Sequence, residues 1–93
     1  MSAGVDYDDL RGRLRWLIIR NGDQLPRVTL EFISEFIDAN ECGLALETLS
    51  DMLVEVGARI DCQTLDAVAL LATEMGLDRK NADQLLPLLE DAG

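Results

Sequence analysis

Apolar residues recur three and four positions apart in four successive blocks of this chain, and each block ends at a glycine or an asparagine. That spacing matches the 3.6-residue turn of an α-helix and conflicts with the two-residue period of a strand. β-Branched and aromatic residues are sparse, and strict apolar/polar alternation is absent. The pattern predicts an all-α fold: a compact antiparallel bundle of four helices plus a short C-terminal helical segment. Ninety-three residues suffice for one domain with a modest core, and no linker or repeat divides residues 1–93.

The first helix is predicted from about Asp6 to Arg20, with Tyr7, Leu10, Leu14, Leu17 and Ile18 on its apolar stripe. Asp6, Asp8 and Asp9 fall in the first turn, where the helix dipole favours negative charge. Asn21 and Gly22 both tolerate positive φ and are expected to end it. Pro26 suits the first position of the second helix, whose inward residues are Leu30, Ile33, Phe36 and Ile37, with Phe32 at the edge. A break is expected at about Asn40 to Gly43. The third helix turns Ala45, Leu46, Leu49, Met52, Leu53 and Val56 inward and closes at Gly57. Asp61 is the expected N-cap of the fourth helix, and Gly76-Leu77 its C-terminal glycine and hydrophobic contact. With Leu65, Val68, Ala69, Leu71, Ala72 and Met75, this helix should be the most enclosed. Asn81 and Gln84 have capping-box spacing for a last short helix. Pro87 should break that helix, leaving Leu85, Leu86, Leu88 and Leu89 to dock on the core.

Charge is distributed very unevenly. The chain carries 18 acidic and 8 basic residues, for a net charge of −10. Between Val28 and Ala58 there is no Lys or Arg. Glu31, Glu35 and Asp38 recur along the outer face of the second helix, Glu47, Asp51 and Glu55 along the third, and Glu41 lies between them. Like charges four apart cost a helix roughly 0.2–0.5 kcal/mol per pair. Repeating one sign on two successive helices therefore suits a cationic partner better than plain solubility. The same charge opposes direct binding to nucleic acid or to an anionic membrane, and attracts a basic protein. The four arginines of the first helix are free either to pair with acidic helices or to cover solvent. Trp16, off the centre of its stripe, is either a core-edge aromatic or an interface anchor.

Catalytic and metal chemistry finds little support. The chain has no histidine, which removes Ser-His, Cys-His and His-metal arrangements. Asp38-x-Asn40-x-Cys42-Gly43 starts like a calcium loop, but its twelfth position is Leu49 where a bidentate Glu is needed. Glu31 and Glu35 are close enough for acid–base work, yet they lie opposite the apolar stripe, where burial cannot separate their roles. No enzyme activity, cofactor or metal is expected. Cys42 and Cys62 lack paired spacing and are expected as free thiols packed as small apolar groups. The longest apolar run, Ala67 to Ala72, is far short of the roughly 20 residues needed to cross a bilayer. The N-terminus lacks a basic start and apolar stretch. A cytoplasmic location follows as an expectation.

The stretch from Glu35 to Leu53 adds a family likeness. A helix ending Phe36-Ile37-Asp38 leads through a turn with Glu41 and Gly43 into Leu44-Ala45-Leu46-Glu47, followed by Leu49 and Asp51 at helical spacing. This resembles the small immunity proteins of the MafI type, which accompany secreted polymorphic toxins in bacteria. Glu74-Met75-Gly76-Leu77 extends the likeness weakly, so that it spans roughly Leu30 to Asp78. The resemblance implies a small, acidic helical protein that binds and neutralises one cognate toxin C-terminal domain, often a nuclease with a basic active site. It points to a monomer. On this reading Glu31, Glu35, Asp38, Glu41, Glu47, Asp51 and Glu55 are the partner-binding residues. The alternatives are an acidic helical adaptor, which calls for an apolar docking groove, or a DNA mimic that titrates a basic regulator.

Overall fold

Five α-helices account for most of residues 6–90, the part of the chain that the computed structural model describes. They are α1 (Tyr7–Asn21), α2 (Arg27–Asp38), α3 (Cys42–Glu55), α4 (Cys62–Glu74) and the single turn α5 (Lys80–Asp83). Short 3-10 turns follow α1 at Gly22–Gln24 and α5 at Leu86–Leu88. There is no strand among the described residues. One isolated parallel bridge joins Ile60 to Leu89 and ties the C-terminal segment to the α3–α4 loop. The all-α expectation is met.

Contacts between helix ends set the directions. The end of α1 meets the start of α4: Asn21 Nδ2 donates to Thr64 Oγ1 at 3.2 Å, and Arg20 Nε donates to Asp61 at 3.0 Å. Nearer the start of α1, Arg13 reaches Glu74 at the far end of α4. The two helices are therefore antiparallel. α1 also runs against α2, because Arg15 holds Asp38 at the end of α2 while Leu30, near its start, packs on the bare face of Gly22. α1 and α3 pack on each other as well as on α2 and α4, so they form the short diagonal of an up-down-up-down bundle.

The core follows the apolar stripes. Leu10, Leu14 and Leu17 of α1, Ile33 and Ile37 of α2, Leu46, Leu49 and Leu53 of α3, Val68 and Leu71 of α4, and Leu85 are buried together. α3, not α4, is the most enclosed helix: Cys42, Ala45, Leu46, Leu49, Ser50 and Leu53 are all buried. The reason is position, since α3 packs closely on all four other helices while α4 leaves Leu70 exposed. Tyr7, Val56 and Leu86, expected inward, are exposed, Tyr7 and Leu86 at the first residue of their elements and Val56 at the C-cap of α3. Cys42 is buried, and burial pushes its thiol pKa up; Cys62 lies exposed at the start of α4, and both thiols are free.

Three helices stop by one device. α2, α3 and α4 each end with a residue at positive φ: Asn40 at 62°, Gly57 at 65° and Gly76 at 70°. The next residue then bonds back five positions, as in Leu77 N–H to Ala72 O at 2.8 Å and Glu41 N–H to Phe36 O at 2.8 Å. The expected stops at Gly57 and Gly76-Leu77 hold. The α2–α3 break is tighter than expected, because Asn40 alone makes the turn and Gly43 already lies in the first turn of α3. Gly22 does not adopt positive φ; the chain stays right-handed into the 3-10 turn. Pro26 is the N-cap of α2 rather than its first residue, with extended ψ, and its carbonyl accepts from Leu30 N–H at 3.1 Å. Asn81 does not cap α5 but is buried within it, and the Asp78 carboxylate accepts from Lys80 N–H instead.

Glycines test this reading directly. A Cβ at Gly12, inside α1, meets nothing within 4 Å. Gly12→Ala should therefore stabilise the fold by up to about 1 kcal/mol. At Gly57 and Gly76 a Cβ also meets no neighbour, but positive φ strains any L side chain. Gly57→Ala and Gly76→Ala should each cost about 1–2 kcal/mol. Urea unfolding midpoints check both signs, and a stabilising Gly76→Ala would contradict the assigned turn.

Candidate functional site

The arginines decide where negative charge is left over. All four of α1 are engaged within the chain. Arg11 bonds Asp8 and Asn40, Arg13 bonds Asp9 and Glu74, Arg15 bonds Asp38 at 2.7 Å, and Arg20 bonds Asp61 and Gln63. Most of these partners lie on α1 itself or on α4. The four α1 arginines are thus engaged mainly along α1 and α4, and of the acidic residues on α2 and α3 only Asp38 is ion-paired among the described residues.

Asp61 shows how these contacts act. Its carboxylate caps α4 by accepting from Thr64 N–H at 2.8 Å, and Arg20 donates to it. The Arg20 guanidinium, with the Thr64 amide, draws the Asp61 pKa down from 3.8 to about 2. A carboxylate with a depressed folded pKa adds stability above its ordinary value and loses it as pH falls through the folded one. Its contribution should therefore be complete above about pH 4 and vanish towards about pH 2. Asp61→Ala should cost about 1 kcal/mol at neutral pH through the lost cap. Denaturant unfolding at pH 7 and at pH 2.5 checks this, and an equal deficit at both would contradict it.

Of the seven sequence-derived carboxylates, Glu31, Glu35, Asp38, Glu41, Asp51 and Glu55 are exposed and Glu47 is half-buried. Asp38 is the exception to the unbalanced pattern, because Arg15 neutralises it. Asp51 accepts from Gln84 Nε2 at 2.9 Å, a neutral partner that leaves its charge in place. Glu31, Glu35, Glu41, Glu47 and Glu55 form no ion pair among the described residues. Arg27 shares an open depression with Glu31 and Glu35 but makes no ion pair there.

The two acidic helices lie side by side, joined by a turn of three residues from Ala39 to Glu41. Their flanks can be assigned from contacts. On α2, Leu30 and Asp38 mark the flank facing α1. At about 100° per residue, Val28 and Phe32 then fall on the opposite flank, towards α3, with Glu31 and Glu35 on the crest. On α3, Gly43 lies against Leu77 and Asp51 bonds Gln84, which marks the flank facing the α4–α5 region. Thr48, Met52 and Glu55 then turn towards α2. Between the two acidic crests runs a seam of largely apolar residues. Val28 (56 % exposed) and Phe32 (54 %) are open to solvent along it, with Phe36 and Met52 half-buried beneath, whereas exposed Leu44 sits at the start of α3 beside Gly43, Met75 and Leu77.

The sequence reading placed Phe32 at an edge and gave it no role. The signal was present at four-residue spacing, Val28-Phe32-Phe36 on α2 and Thr48-Met52 on α3, but assigning them to facing flanks requires the packing of α1 and α5. Trp16 is 41 % exposed, and the Arg20 guanidinium stands 5.0 Å over its ring. It stands at the edge of the core, and its position on α1 separates it from the acidic crests. Comparison of the chain with family models, with curated proteins and with solved structures finds no match.

Proposed function

We propose that this chain is an immunity protein that captures and neutralises a toxin domain with a basic active site, most simply a nuclease, in the cytoplasm of the cell that makes both. The observation that carries the reading is the unneutralised acidity of α2, α3 and their turn apart from Asp38, set beside the internal use of the four α1 arginines. A nuclease cleft is cationic because it holds phosphates. Carboxylates on a rigid helical pair can take the place of those phosphates and exclude the nucleic acid. No chemistry by this chain is needed, so the proposal is a binder and not an enzyme. Charge would raise the rate of encounter, while a few buried anchors set how long the complex lasts. The MafI-type likeness of residues 30–78 supplies the toxin as partner.

The adaptor reading shares the fold and draws support from the exposed apolar seam. Growth rescue separates the two. The C-terminal domain of the protein encoded next to this chain is expressed in a bacterium with and without it. Survival only in the presence of this chain is the expected result. Equal growth arrest in both would overturn the immunity reading and leave the adaptor.

A further inference from the structure

The α2–α3 seam has a property that neither fold stability nor plain acidity requires. Val28 and Phe32 are exposed at four-residue spacing on the α2 flank that faces α3, without a covering element, and half-buried Thr48 and Met52 lie on the facing flank of α3. A large apolar side chain left open to water gains nothing for the isolated fold, and exposed apolar residues aligned on one surface mark binding sites. Here they line a groove between two antiparallel helices, and a third helix laid in it would touch both ridges. Helix-in-groove recognition uses anchors at i, i+3 or i+4, and i+7.

The banks say what kind of helix fits. Glu31 and Glu35 stand on one side and Glu55 on the other, and none of the three forms an ion pair among the described residues. We propose that the seam receives an amphipathic, cationic helix of the partner, whose apolar face seats on Phe32 and its neighbours while Lys or Arg on both flanks meet the acidic banks. A second copy of this chain is a poor occupant, because it would bring the same carboxylates against each other. The inference rests on the basic-partner reading above and adds the partner's secondary structure and the anchor that holds it. Phe32 is the central anchor: it is the largest exposed side chain of the seam, and aromatic residues at the middle of an interface carry a disproportionate share of affinity.

A designed probe tests this without the natural partner. Two peptides of leucine and lysine, each about 18 residues long and long enough for a marginal helix, share one composition. One is patterned with leucine on a single helical face, and the other is scrambled. The amphipathic peptide should bind about tenfold more tightly than the scrambled one, a difference of about 1.4 kcal/mol. Amide NMR shifts should centre on Val28, Phe32, Thr48 and Met52. Phe32→Ser should weaken binding about tenfold, whereas Ile19→Ser, at an exposed apolar site on α1, should not. Because Phe32 is half out of the core, circular dichroism should show an intact fold, and Val28→Ser provides a second, milder variant. Equal binding of both peptides, indifference to Phe32→Ser and Val28→Ser, or shifts centred on α1 or α4 would each overturn the proposal. If the glutamates matter in the toxin rescue and Phe32 does not, the seam inference fails while acidic capture stands. If rescue itself fails, the basic-toxin reading fails whatever the peptide does.

Discussion

Leu49→Ala should lower the thermal unfolding midpoint by roughly 8–40 °C, the largest stability change expected from a single side-chain truncation in this chain. Leu49 is fully buried in α3, the helix that touches all the others. Removing its side chain forfeits transfer free energy and leaves a cavity that four surrounding helices cannot easily collapse, costing roughly 2–5 kcal/mol. For a domain of this size each kilocalorie moves the midpoint by about 4–8 °C. Leu44→Ala, one turn and a half earlier on the same helix, is the control. Leu44 is nearly half exposed, so its loss should stay within about 0.5–1 kcal/mol. Thermal melts of the two variants read the contrast, and comparable midpoints would mean that α3 is not the hub of the core.

Reversing Glu31, Glu35 and Glu55 together to lysine should slow association with the basic partner by about 100-fold. Steering acts on the rate of encounter, and this triple change turns three attractive charges on the crests into repulsive ones. Asp38→Asn should alter the rate little, because Arg15 already offsets that carboxylate. Reversal of Glu47 and Asp51, which face the α5 side of α3, should fall between the two. Stopped-flow association rates for the three variants, with helix content checked by circular dichroism, test the ranking. An effect of Asp38→Asn as large as that of the triple reversal would show that the crests are not the contact surface.

The sequence carried the helices and their stops well, because both are local. Period-3.6 apolar patterning, an aspartate before α4 and glycines after α3 and α4 each act within a turn or two of chain. It carried less where distant elements decide. Nothing local says that α1 and α3 make the short diagonal, so α4 looked more enclosed than α3. Asn21 read as a helix terminator, yet its amide bridges to Thr64, which is buried with it across forty-three residues of chain. The acidic stripes were legible as spacing. That Arg15 removes Asp38 from them, and that Val28 and Phe32 line the seam between the crests, depends on which helix lies beside which.

The central claim is that uncompensated carboxylates on α2 and α3 draw in a cationic protein. The most direct measurement is the association rate of the intact chain with the basic domain identified by rescue, followed as salt rises from about 0.05 M to about 0.5 M, where screening shortens the reach of exposed charges. The account predicts a fall of at least about tenfold, with the Glu31/Glu35/Glu55 triple lysine variant losing that dependence. A rate that stays constant across the range, in both proteins, would contradict it.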